Sequence, residues 1–195
     1  MDFSMDYILE NAIVRLEPLR ELHISKLEGL VDDPDIWKFF LGRSDGSSNF
    51  GCYIKDTIQH RNEKAEYPFA VYDKRVGQYA GSTRFFDYSE ELKNIRLGYS
   101  WHGKPYRGSG LNKNCKYLLF EFALEKLNLC RVGLGAHAEN GTSINAMKSI
   151  GCTHEGTLRN FFPSIKGEGR ADALLFSMTK EDWVNGAKNQ LKKKL

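Results

Sequence analysis

Two periodicities divide this chain. In the first half apolar and polar residues alternate, the period of half-buried strands. Residues 12–16 read as a first strand, ended by Pro18. Residues 67–72, a turn at Asp73 and Lys74, and residues 76–86 read as a hairpin. Residues 94–101 alternate so cleanly that Ile95, Leu97, Tyr99 and Trp101 are predicted to share one face. Residues 19–31 and 50–63 read as helices. Between them residues 42–49, rich in Gly, Ser and Asp, form the longest predicted loop, a mobile connection inside the domain.

After residue 110 the apolar step changes to three and four. Leu111, Cys115, Leu118, Leu119, Phe122, Ala123 and Leu127 make one helical stripe, with Lys113, Lys116, Glu121 and Glu125 off it. Asn128 closes this helix. Residues 131–138 return to alternation. Val132, Leu134, Ala136 and Ala138 share a face, while Gly133 and Gly135 opposite leave room for a close approach. Residues 142–150 read as a short helix with Gly151 at its C-terminal end. Residues 152–158 and 171–178 are two further strands, and Thr179 with Asp182 echoes a capping box opening a last helix. The pattern predicts an α+β (mixed α/β) fold: one largely antiparallel, twisted sheet of about seven strands with flanking helices.

Composition narrows the class. A chain of 195 residues suits one domain with a core large enough to need no disulfide or metal. No apolar run approaches the length of a membrane span, and the first residues lack the basic and apolar regions of a signal peptide. The four cysteines, Cys52, Cys115, Cys130 and Cys152, show no metal spacing and point to a reducing cytoplasm with mostly buried free thiols. No metal is expected. The net charge of +3 has its excess at Lys188, Lys192, Lys193 and Lys194, read as a solvated helix end. No basic stripe interleaved with aromatics is present, so direct nucleic-acid binding is not expected.

The candidate chemistry lies between the strand ending at Trp101 and the helix starting at Leu111. Arg107, Gly108, Ser109 and Gly110 precede the first helical turn. The first amides of a helix have no intrahelical partner and carry the positive end of its dipole. Glycines let a diphosphate reach them without a Cβ in the way. On the turn alone, a plain tight turn and a pyrophosphate cradle stand on even terms. The Walker A pattern is absent. The dinucleotide fingerprint fails too, because Lys113 stands where its third glycine belongs.

The stretch from Arg107 to Asn112 resembles the coenzyme A motif [QR]-x-x-G-x-[GA] of the GNAT acyltransferases, with Arg107 first and Gly110 fourth. Asn112 departs from the small sixth residue. Asn112 followed by Lys116-Tyr-Leu-Leu119 is instead similar to the RimJ/RimL-like branch, named for enzymes that acetylate ribosomal-protein N-termini. Other pieces agree in order: Val14 to Leu19 with V-x-L-x-P-L, Asn140 to Ser143 with N-x-x-S, Glu155 to Arg159 with E-G-x-L-R, Gly169 and Asp172, and Glu181 with Trp183. The resemblance spans residues 12–183, taken as a single acetyltransferase domain, with residues 184–195 a helix end and basic tail.

The resemblance implies a cytoplasmic N-acetyltransferase moving an acetyl group from acetyl-CoA to a primary amine, of a protein N-terminus or a small molecule, within a ternary complex. A non-catalytic acyl-CoA-binding module and a transferase of longer acyl groups are the alternatives. Coenzyme A would lie where a central strand pair splays apart. Trp101 would pair with the pantetheine arm, and Arg107, Gly108, Ser109, Gly110, Leu111 and Asn112 would hold the pyrophosphate. Asn140 would bond the pantetheine region, and Ser143 would lie near the thioester sulfur and assist catalysis. Glu155 is the one carboxylate inside a matched motif, a candidate acid–base whose structural alternative is to bond backbone N–H groups or to pair with Arg159. Trp37, Phe39 and Phe40 border the acceptor pocket in this family. The partners implied are acetyl-CoA and an amine, without a membrane, for a monomer or homodimer.

Overall fold

The computed structural model describes residues 1–40, 46 and 48–195. The loop expected at residues 42–49 falls largely outside them. Leu9–Glu10 (β1) pairs antiparallel with Val14–Pro18 (β2), whose Val14 and Leu16 are fully buried. The two-residue β1 is the strand that the alternation missed, too short to show a period. Residues 21–30, expected within one helix over 19–31, form consecutive short turns that include Ile24–Leu27 (α1), and Pro34–Trp37 (α2) follows as a separate turn. Phe50–Asn62 (α3) starts at Asn49, whose side chain accepts from Cys52 N at 2.9 Å, the cap an Asn supplies.

Glu66–Asp73 (β3), Gln78–Ser89 (β4) and Asn94–His102 (β5) form an antiparallel meander. Leu111–Glu121 (α4) crosses to Arg131–His137 (β6), then come Gly141–Ser149 (α5), Thr153–Pro163 (β7) and Arg170–Thr179 (β8). The chain ends in Lys180–Asp182 (α6) and Lys188–Lys192 (α7), opened by the Thr179–Asp182 capping box. The eight strands form one sheet in the order β1-β2-β3-β4-β5-β6-β8-β7. Every neighbouring pair is antiparallel except β5 and β6.

Alternation along β3 shows the two layers. Tyr67, Phe69 and Val71 join one apolar cluster with Leu111, Leu118, Leu119 and Phe120 of α4, while Ala70 joins another with Leu27, Trp37, Tyr53 and Ile54. The sheet is therefore covered by α4 and the C-terminal helices on one face and by α1–α3 on the other. Trp183 and Leu191 are buried, and Lys188 pairs with Glu121 of α4 and with Glu125 in the turn after it at 2.9 and 2.6 Å. Of the basic C-terminal run, Lys188 is thus docked, while Lys192, Lys193 and Lys194 are exposed as a solvated end.

Strand β5 departs from the predicted alternation. Its partners on β4 run Gly98 with Arg84, then Trp101 with Ser82, so β5 spends one more residue than β4 over that step. That β-bulge holds Tyr99 at φ 48°. Ile95 and Leu97 pack in the α4-side cluster, but Trp101 lies in the α3-side cluster. Tyr99 and Trp101 therefore do not share a face with Ile95 and Leu97. The polar residues after the bulge, Ser100 and His102, turn toward α4 instead.

Candidate functional site

Strands β5 and β6 pair only over Asn94–Arg131, Ile95–Val132 and Arg96–Gly133. Beyond Arg96 they separate, and the edge of β5 facing β6 has no strand partner. The bulge at Tyr99 sits just inside this fork. The glycine face of β6 is partly occupied: a Cβ on Gly133 or Gly135 would stand 3.4 or 3.5 Å from the side chain of Arg96. The close approach expected there is made by Arg96 of the chain itself.

Beneath the fork, on the α4 side, lies a buried polar chain. Lys116 Nζ donates to Ser100 Oγ at 2.7 Å, and Ser100 Oγ is 2.7 Å from Thr83 Oγ1. Lys116 is 6% exposed, contrary to its expected place off the apolar stripe. Burial brings its pKa down to about 8. Burial, with Lys116 and Arg107 nearby, brings His102 down to about 3, so its imidazole is neutral. The buried thiols of Cys115 and Cys152 are pushed up to about 12 by burial, which leaves them poor nucleophiles. Cys52 and Cys130 are exposed, so the thiols are not mostly buried.

Past His102 the chain makes a short turn at Lys104–Tyr106 and reaches α4 through Gly108 (φ 71°) and Gly110 (φ 82°). A Cβ on either glycine would meet nothing within 4 Å, so the turn is open in front of the helix N-terminus. Arg107 is tied into the turn: Nε donates to His102 O at 3.0 Å and Nη1 pairs with Asp33 Oδ2 at 2.9 Å. Ser109 Oγ donates to Tyr106 O at 2.7 Å, and Arg75 Nη1 donates to Ser109 O at 3.0 Å. Leu111 is fully buried, so only its backbone faces the turn. Asn112 is half-buried. A groove of about 460 Å³ runs beside the turn, lined by Arg75, Gln78, Pro105, Tyr106 and Ser109 among others. Arg75 was not singled out from the sequence. It lies in a hairpin 34 residues before the turn, and only sheet pairing brings the two together.

The other arm of the fork leads from His137 into α5. Asn140 caps that helix, its Oδ1 accepting from Ser143 N at 3.0 Å. Its amide NH2 has no protein partner among the described residues. Asn140 and Ser143 are thus in direct contact, both half-buried. Asn140→Ala is expected to cost about 1 kcal/mol of stability through the lost cap. Denaturant unfolding measures this loss.

On the α3 side, next to the bulge, a cleft of about 380 Å³ is lined by Phe40, Tyr53, Asp56, Glu63, Arg84 and Tyr99, among others. Its floor is charged. Arg84 donates to Glu66 and to Tyr53 Oη, with Arg84 and Glu66 each 3% exposed at the side chain. The guanidinium carbon lies 4.5 Å from the Tyr99 ring centre. Of the aromatics expected at an acceptor pocket, Phe40 lines this cleft. Trp37 packs inward on Tyr53 and Trp101, and Phe39 lies against His137. The alternation gave no sign of this cleft, because β4, β5 and α3 each supply one wall.

Glu155 stands elsewhere. It makes a two-pronged ion pair with Arg131 and accepts from Ser177 Oγ at 2.7 Å. Arg131 opens β6 at the paired end of the fork, opposite the end where the strands separate. The Arg131 guanidinium holds the Glu155 carboxyl below its usual range, which makes it a weak base. This placement is a structural pairing, with Arg131 as the partner in place of the expected Arg159. His137 is also a wall residue, with Nδ1 accepting from Glu139 N at 3.1 Å and its ring stacked on Phe162. Among the described residues there is no helix long and apolar enough to cross a membrane, and no cluster of three His, Cys, Asp or Glu able to hold a metal.

Residues 14–153 match the family model of the acetyltransferase (GNAT) domain. No curated protein matches the sequence significantly. Among solved structures, a GCN5-related N-acetyltransferase from Brucella melitensis superposes with a TM-score of 0.84 at 23% identity, over 96% of this chain and 84% of that one. Mycobacterium smegmatis RimJ, in complex with CoA-disulfide, gives 0.78 at 17% identity over 96% and 93%. RimL, the ribosomal L7/L12 alpha-N-protein acetyltransferase, gives 0.76 at 15% identity over 90% and 95%. All three likenesses are of fold.

Proposed function

The chain belongs to the acetyltransferase (GNAT) family, and on that premise we propose that it transfers an acetyl group from acetyl-CoA to a primary amine by direct attack in a ternary complex. The observation that carries this reading is the fork between β5 and β6, with the open glycine turn and the α4 N-terminus at its mouth. An extended pantetheine arm fits the bare edge of β5 near Trp101, as an added strand does. The diphosphate fits against the first amides of α4, from Gly108 to Asn112, with Arg107 and Arg75 stiffening the turn behind it. Asn140 offers its free amide to the arm, and Ser143 stands beside it, toward the sulfur.

The thioester then lies beside the bulge, where backbone amides turned out of the ladder can hold the carbonyl oxygen as it becomes anionic. The acceptor amine enters from the cleft beside Tyr99, whose acidic rim of Asp56 and Glu63 suits a cation. It attacks once deprotonated, so the rate rises with pH through the amine's pKa. An acyl-enzyme is disfavoured, because the two buried thiols are held protonated at pKa values of about 12. The acceptor class is a protein N-terminus or a small amine, and the four free cysteines suit the cytoplasm. The domain is taken as residues 12–183, completed by the docked C-terminal helix.

Thiol release from acetyl-CoA across a panel of amines, including peptides beginning with Ala or Ser, tests this reading. Release with at least one amine, and intersecting initial-rate lines when both substrates are varied, are the expected results. No release with any amine would overturn transfer. Parallel lines with an acetylated cysteine peptide would overturn the ternary complex.

A further inference from the structure

We propose that the Lys116 ammonium is the site that receives the coenzyme A thiolate when the thioester breaks, a role that rests on the acetyl-transfer reading above. The observation is a buried cation without an anion. Lys116 is 6% exposed and has one partner among the described residues, Ser100 Oγ at 2.7 Å. An ammonium has three N–H donors, so two remain unfilled. A charge taken out of water without a counter-ion destabilises the fold, and groups perturbed in this way cluster at functional sites.

The neighbours of Lys116 come from every element around it, and none is anionic. Ser100 and neutral His102 face it from β5. Cys115 of its own helix and Cys152, just before β7, are protonated thiols. Arg107 in the glycine turn, the other charge felt at His102, is a second cation. Ser100 belongs to the β5 arm of the fork, beyond the last residue that pairs with β6, so its bond to Lys116 Nζ holds the ammonium beside the unpaired stretch of β5. Ser100 also directly follows the bulged Tyr99, on the stretch of β5 whose edge is bare.

Acetyl transfer creates an anion there. The amine nitrogen bonds to the carbonyl carbon, the carbon–sulfur bond breaks, and its electron pair stays on sulfur. A Lys116 N–H bonds that sulfur and passes it the proton, giving coenzyme A thiol and a neutral amine. The proton shed by the acylated nitrogen re-charges Lys116 through solvent, so charge and protons balance. A lysine near pKa 8 is matched to an alkyl thiol near roughly 8.5, so the exchange runs without a large uphill step. Ser143, on the α5 arm, adds a hydrogen bond but no charge.

The test compares coenzyme A with desulfo-coenzyme A, which lacks the sulfur, on wild type, Lys116→Met and Ser100→Ala. Thiolate absorbance of the enzyme–coenzyme A complex is followed against pH, with the desulfo complex as blank. The sulfur is expected to ionise at least about one pH unit lower on wild type than on Lys116→Met, a tenfold shift in its equilibrium. Acetyl transfer by Lys116→Met should fall on the order of 10–100-fold in kcat with KM for acetyl-CoA little changed, as for an interaction made only in the transition state. Equal ionisation in the two proteins overturns the proposal. Ser100→Ala keeps the lysine but removes its holder. It must raise the ionisation pH toward the Lys116→Met value, and no change there is equally fatal, even if Lys116→Met does not fold. If wild type binds neither ligand, the acetyl-CoA reading itself fails.

Discussion

Gly110→Asp is expected to weaken coenzyme A binding by at least about 100-fold, the equivalent of roughly 2.7 kcal/mol, while the protein still folds. Gly110 has φ 82°, a conformation that costs other residues about 1–2 kcal/mol. Space is not the obstacle, since a Cβ there meets nothing within 4 Å. The carboxylate would instead project into the opening proposed for the diphosphate. It would satisfy the α4 amides itself and repel the ligand. Gly110→Ala separates the causes. It carries the backbone strain without the charge, and its affinity should stay within about tenfold of wild type, roughly 1.4 kcal/mol and within the range of the αL strain. Calorimetry on the three proteins measures this, and an unchanged affinity in Gly110→Asp would put the diphosphate elsewhere.

Glu66→Ala is expected to destabilise the fold by about 3–5 kcal/mol, the cost of leaving a buried charge without its partner. Arg84 and Glu66 are each 3% exposed at the side chain, and Arg84 has Tyr53 as its other side-chain partner. Removing the carboxylate strands the guanidinium beneath Tyr53 and Tyr99. The double variant Glu66→Leu with Arg84→Met should recover much of the loss, because apolar pairs of similar volume often replace a buried ion pair without penalty. Urea midpoints of the single and double variants test this. Recovery of stability without activity would show that the pair serves the cleft beside the bulge. A loss under about 1 kcal/mol in Glu66→Ala, the range of an exposed pair, would contradict the burial of the pair.

Much of the local structure was legible in local patterns, apart from the helix read over residues 19–31, the short β1 and the end of β5. The three-and-four stripe from Leu111 marks α4, the Thr179–Asp182 pair opens the last helix, and the glycine turn at Gly108 and Gly110 leads from β5 into the α4 N-terminus as read. The Asn140–Ser143 spacing likewise corresponds to a helix cap. All of these act within a few residues, through backbone conformation and side-chain-to-backbone bonds that neighbours in sequence decide. What joins distant segments was decided by tertiary structure alone. The bulge at Tyr99 arises from the register of β5 on β4, and it turns Trp101 to one face of the sheet and Ser100 to the other. Lys116 is buried because Ser100 of β5 meets it under the fork, although helical periodicity assigns it to the polar side. Glu155 finds its cation 24 residues back at Arg131, across the sheet. Periodicity records which face of an element is apolar, but not which element covers that face. Burial of a charge, and the pKa that follows from it, depend on that second fact.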